Sequence, residues 1–160
     1  MTLKPAGGAL SPEAELRSFI NRFDPKEQKL LRAVRAALRK RFPTVNELAY
    51  EYPNSVVISY SPTKRGIEAI VAIAARADGV FLHLSHGPQL PDPKKLLQGS
   101  GKQTRFIQID AASQLGHPDV EALIAAAIEH ATVPLPSEGK GKLIILSSAS
   151  RRRLGRKSTK

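Results

Sequence analysis

The hydrophobic period changes at Pro43, and that change restricts the fold more than any other feature of the chain. Before it, apolar residues recur at spacings of three and four: Leu16, Phe19, Ile20 and Phe23, then Leu31, Val34 and Leu38. Such spacings put each group on one face of a helix. After it, Glu47-Leu48-Ala49-Tyr50-Glu51-Tyr52 alternates, with Leu48, Tyr50 and Tyr52 on one side of a strand and both glutamates on the other. A run of helices followed by a run of strands belongs to the α+β class.

Local signals fix the breaks. Ser11-Pro12 supplies a cap and a proline at the first helical position, and Asp24-Pro25-Lys26-Glu27 reads as a capping box for a second helix. Pro43 ends that helix, because proline disfavours helical geometry in the residue before it. Pro53-Asn54 turns the chain into a strand at 55–60, and 61–66 connects onward. By composition 67–74 suits helix or strand, but the Asp78-Gly79 turn and the run Val80-Phe81-Leu82-His83-Leu84 beyond it favour a hairpin. Asp92 to Leu97 reads as one capped helical turn, Arg105 to Ile109 as a strand. His117-Pro118-Asp119 opens a last helix with Val120, Leu123, Ile124, Ala127, Ile128 and Ala131 as its buried stripe. Short links between successive strands imply antiparallel pairing. The expected fold is therefore α+β: an antiparallel sheet of about five strands with helices packed on one face, in helix-helix-strands-helix order. Residues 1–12 read as a loose leader, 13–133 as the domain, and 134–160 as a basic C-terminal extension with a short strand or edge-docked segment at 143–147.

Charge is unevenly placed. The chain's 160 residues carry a formal charge of +11, and from Glu138 onward eight basic residues face a single acid, a surplus of seven. Arg151, Arg152, Arg153, Arg156 and Lys157 make this end a candidate for nucleic acid or another polyanion, since each neutralised phosphate releases counterions. A second basic region lies on the helix after Asp24, where Arg32, Arg35 and Arg39 form a stripe and Glu27 is the only acid. That stripe reads as a solvated helix surface with its aliphatic stems along the core edge.

Little else in the sequence carries chemistry. Gly99-Ser100-Gly101-Lys102 fails as a Walker motif, because Leu96 stands where its first glycine belongs and Gln103 where a magnesium-holding hydroxyl belongs. What stays is an anion-binding candidate formed by Gly99, Gly101, Lys102 and Arg105. The four histidines, His83, His86, His117 and His130, have no ligand spacing, so neither metal nor cofactor is expected. Without cysteine there is no disulfide or thiol chemistry, and Ser85-His86 lacks an orienting acid. Glu47 and Glu51 read as a solvated pair, and Tyr50, Tyr52 and Tyr60 as packing tyrosines that are also the only stacking candidates. No apolar run approaches the ~18 residues of a membrane span. The opening Met1 to Gly8 lacks the apolar centre of a signal peptide, so the expectation is a cytoplasmic protein with no membrane partner.

Several pieces together resemble the YdhG-like family, a bacterial domain of unknown function, over about residues 13–132. They are Tyr50-Glu51-Tyr52-Pro53, Leu82-His83-Leu84, the stretch Leu96-Leu97-Gln98-Gly99-Ser100-Gly101-Lys102-Gln103-Thr104-Arg105-Phe106-Ile107, and the helix start at His117. The resemblance implies a compact α+β domain with an antiparallel sheet. Some relatives are described as frataxin-like iron chaperones, a role that would call for oxygen ligands on an acidic helix face. The expected function is a non-enzymatic binding domain for an anionic partner, either nucleic acid or a phosphorylated ligand. The alternatives are a frataxin-like iron chaperone and a small enzyme acting on an anionic metabolite.

Overall fold

In the computed structural model, which describes residues 10–147, the chain enters through a capped helix. α1 spans Pro12–Ile20, and the Ser11 hydroxyl accepts a hydrogen bond from the Ala14 amide at 3.2 Å. α2 spans Pro25–Arg41; its start is where the capping-box reading puts it, but the Asp24 side chain makes no cap bond. The strands follow: β1 Asn46–Tyr52, β2 Ser55–Ser61, β3 Val71–Arg76, β4 Gly79–Ser85 and β5 Thr104–Ile109. A turn of 3-10 helix at Gly66–Glu68 precedes β3, so the ambiguous 67–74 stretch divides between that turn and a strand. α3 occupies Pro118–Glu129, with the His117 imidazole accepting from the Asp119 amide at 3.2 Å. β6 at Leu143–Ser147 closes the fold.

These strands form one six-stranded sheet in the order β5-β4-β3-β2-β1-β6. The first five make an antiparallel meander, as their short links require. β6 adds against β1 in parallel, so the sheet is mixed and one strand larger than the expected five. The chain reaches β6 only after α3 and the 130–142 stretch, whose Gly141 amide donates to the Pro43 carbonyl, a connection long enough for parallel pairing. Residues 143–147 are thus a working edge of the sheet, within the stretch read as an extension.

The core lies between the helices and one face of the sheet. Leu16, Phe19 and Ile20 of α1, Leu31, Val34 and Leu38 of α2, and Val120, Leu123 and Ile124 of α3 share one cluster with Ala49, Ile58, Ile73, Leu82, Ile107 and Ile145. Ile128 and Ala131 are only partly buried against it. Residues 92–97 are a turn and not a helical one: the Asp92 carboxylate caps the Leu96 and Leu97 amides at 2.8 Å each, but Lys95 takes φ of 53°, which stops a helix from starting.

Strand register decides which side chains share a face. The core face carries Glu47, Ala49 and Glu51 from β1, with Tyr60, Ile58 and Val56 opposite them on β2. The alternation in β1 is the expected one, but its sense is reversed: the glutamates point toward the helices, and Leu48, Tyr50 and Tyr52 point away.

Candidate functional site

The basic stripe of α2 meets acids from other elements. Arg35 grips Glu47 through two hydrogen bonds of 2.9 and 2.8 Å and Glu13 of α1 through two more. Arg39 lies 3.6 Å from Glu47 and 3.8 Å from Glu13. The Tyr60 hydroxyl donates to Glu47 at 2.7 Å from full burial. Burial, and after it the adjacent Glu47 carboxylate, pushes that phenol well above its ordinary value. Two further arginines are paired, Arg22 with Glu51 at 2.6 Å and Arg41 with Glu121 at 2.9 Å. Glu47 and Glu51 are therefore buried, at 5% and 8% exposure, and the reading of a solvated pair is corrected. Burying a carboxylate is costly unless it is paired, and here arginines from the helical layer pair both.

A cavity of about 510 Å³ opens beside this network, rimmed by Arg39, Lys40 and Lys140. Glu47 lines it as well, and it lies at the C-terminal end of α2, where the helix dipole repels anions. It is a poor anion site despite its rim.

The structure places Gly99, Gly101 and Lys102 in the turn leading into β5 and Arg105 as the second residue of that strand. Each glycine has a local packing cause. Gly99 takes φ of +100° and a side chain there would press on the Phe106 ring; one at Gly101 would lie 2.8 Å from the Thr104 carbonyl oxygen. The Arg105 Nε donates to the Gly101 carbonyl at 2.9 Å, bracing the turn, and Lys102 is exposed. The nucleic-acid candidates Arg151, Arg152, Arg153, Arg156 and Lys157 lie outside the described residues. The strand that precedes them runs along the opposite edge from β5, and it ends at the opposite end of the sheet from Thr104. Five strand spacings separate the two edges, about 24 Å.

The face turned away from the core carries no helix among the described residues, and it holds Tyr50, Tyr52, Phe81 and Phe106. Its rows follow from the register: Tyr52, Ser55 and Arg76; then Tyr50, Val57, Ala74, Phe81 and Gln108; then Leu48, Ser59, Ala72, His83 and Phe106. Short side chains occupy β2 and β3, with aromatic rings standing on β1 to one side and on β4 and β5 to the other. The result is a trough about 14 Å wide between β1 and β4. Tyr50 and Tyr52 hold their rings within 5° of parallel at 6.2 Å, and Tyr52 is 41% exposed. Across the trough Phe81 meets the Phe106 edge at 5.7 Å, and the Arg76 guanidinium lies 4.0 Å over the Phe81 ring. Arg76 also pairs with Asp78 at 3.2 Å. The 62–68 link folds over the far end of β1, where Asn46 donates to the Thr63 carbonyl at 3.0 Å and Gly66 rests against the Tyr50 hydroxyl. Of the three stacking candidates, the fold therefore places Tyr50 and Tyr52 on the open face and Tyr60 in the core.

Two histidines come together that spacing keeps apart. The His86 and His130 rings lie 6.1 Å from each other, His86 in left-handed geometry at φ of 58°. The 3-10 turn after His86 and the end of α3 produce this meeting, which no linear pattern announces. Among the described residues, no group of three or more histidines and carboxylates is placed to hold a metal ion. No helix among them is long and apolar enough to cross a membrane.

Comparison with protein-family models, with curated proteins and with solved structures finds no match for this chain.

Proposed function

We propose that this chain is a non-enzymatic binding domain whose partner is nucleic acid, held electrostatically by the basic segment that follows β6. The observation that carries this reading is the separation of charge. Within the described residues, Arg22, Arg35, Arg39, Arg41 and Arg76 each engage a carboxylate, while the sequence after β6 carries six basic residues and no acid. Cations paired with carboxylates are held within the fold, whereas a dense run of basic residues in sequence attracts polyanions. The same pairings weigh against the iron-carrier alternative, because Glu13, Glu47, Glu51 and Glu121 already hold arginines. Lys102 and Arg105 form a separate anion contact at the far corner, too distant to share one short ligand with β6.

The test compares the full chain with a full-length variant carrying Arg151→Gln, Arg152→Gln, Arg153→Gln, Arg156→Gln and Lys157→Gln. Labelled DNA and RNA are titrated across a salt series. For single strands each phosphate contact contributes about −0.7 to the slope of log affinity against log salt, so five contacts give about −3.5. The variant is expected to lose most of that slope, and Lys102→Ala with Arg105→Ala to change it by less than half as much. Equal slopes for the full chain and the five-fold variant would remove the proposal.

A further inference from the structure

We infer that the open face of the sheet is a base-stacking surface for single-stranded nucleic acid, with Tyr52 as its outer ring, Tyr50 behind it and Arg76 as the cation of the same row. This inference rests on the nucleic-acid reading above and adds to it the surface and the strandedness of the ligand. Three observations support it, the first two of them independent of the charge of the C-terminal segment.

The first is the position of the tyrosines. A large ring on a strand is ordinarily drawn into the core, yet this alternation sends the glutamates inward and leaves Tyr52 41% exposed. Its ring lies within 5° of parallel to that of Tyr50. Flat, parallel rings beside a floor of Ser55, Val57 and Ala72 offer room for planar groups, because those short side chains stand below the rings. Base–aromatic stacking is tolerant of sequence, since every base has a π-face.

The second is the chemistry of the row. Tyr52, Ser55 and Arg76 are register neighbours across β1, β2 and β3. A guanidinium held over the Phe81 ring, 4.0 Å from its centroid, is a positioned partner for a base or a phosphate. The carboxylate at this rim, Asp78, pairs with Arg76 from a turn position that is 71% exposed. A phosphate competes with it from the solvent side.

The third is where the chain goes next. β6 runs parallel to β1, and its last residue, Ser147, pairs with Tyr50. Arg151 follows four residues later in the sequence. The cationic segment and the tyrosine row therefore begin at one corner. A duplex keeps the π-faces of its bases stacked on one another and out of reach of exposed rings, so the ligand is a single strand.

The test uses the full chain and three 12-nucleotide probes: a single-stranded oligo-uridine, an abasic strand of the same length and charge, and a duplex. Fluorescence anisotropy gives affinities for the natural chain, Tyr52→Ala, Tyr52→Phe and the five-fold glutamine variant. Circular dichroism checks that each is folded. The expected results are a preference for oligo-uridine over the abasic strand and the duplex, and a five- to thirtyfold loss with Tyr52→Ala for the base-bearing strand only. Tyr52→Phe should keep the affinity. If all probes bind alike and Tyr52→Ala changes nothing, while the glutamine variant loses binding, the face is excluded and the charge reading survives. If no probe binds the natural chain at low salt, both fall. Light scattering of the same proteins covers another occupant: a dimer that Tyr52→Ala dissolves would assign the face to a second copy of the chain and overturn the inference.

Discussion

Glu47 shows how far a single residue can depart from its usual environment. Its carboxylate is nearly sealed beneath α2, and Arg35, Arg39 and Tyr60 all reach it. Removing one partner of a buried pair leaves an uncompensated charge, which costs more than the pair itself contributes. Arg35→Ala should therefore destabilise the fold by about 3 kcal/mol, measured as a shift in the urea midpoint. Tyr60→Phe removes one hydrogen bond to a charged acceptor and should cost about 1.5 kcal/mol. A Tyr60→Phe loss equal to that of Arg35→Ala would mean that the phenol, not the guanidinium, holds the carboxylate. His83 offers a pH test on the other face. Burial first, and then Arg76, holds its pKa below the ordinary histidine value. Folding thus favours the neutral ring, so its contribution is complete above the unfolded value of about 6.5 and is lost as pH falls toward the folded value. The urea midpoint of the natural chain should drop between pH 7.5 and 5.5, and His83→Gln should remove part of that drop. An unchanged pH dependence in His83→Gln would show that other groups cause it.

At the scale of elements, the two periods and the proline and serine stops were legible because they act within a few residues. α1, α2, α3 and the meander follow from them. The sense of β1 was not legible. Alternation separates two sets of side chains without saying which set faces the core, and a carboxylate points outward by default because its burial is costly. The arginines that reverse this come from another element, twelve residues away in the case of Arg35. The parallel placement of β6 was hidden for the same reason, since pairing direction depends on the path of 130–142 and not on the strand's own composition. One side chain ties that strand in place. Asn46 donates to the Thr63 carbonyl and accepts from the Lys142 amide, both at 3.0 Å, and so clamps the link over the open face to the start of β6. Asn46→Ala should cost about 1–2 kcal/mol. It should also speed amide hydrogen exchange in Leu143–Ser147 more than in β3. Uniform acceleration would show that β6 opens only with the whole sheet.

Over the whole molecule, the arrangement separates three tasks. One face of the sheet and three helices supply stability, with arginines and glutamates closing the seams between elements. The opposite face supplies rings and one arginine above a shallow floor. The C-terminal segment supplies charge. Of the candidate site, the charge was legible in composition and the glycine-lysine turn in its motif. The turn proves to need its glycines for packing, and it lies at the other edge and end of the sheet from the close of β6. The tyrosine row was not legible as a surface, because exposure depends on which face the helices choose. The most direct measurement is a residue-resolved NMR titration of the full chain with the single-stranded oligo-uridine. Shifts concentrated at Tyr50, Tyr52, Ser55, Arg76 and the segment after Ser147 are the expected result. Shifts confined to Lys102, Arg105 and the exposed side of α2, with Tyr52 and Arg76 unmoved, would contradict it.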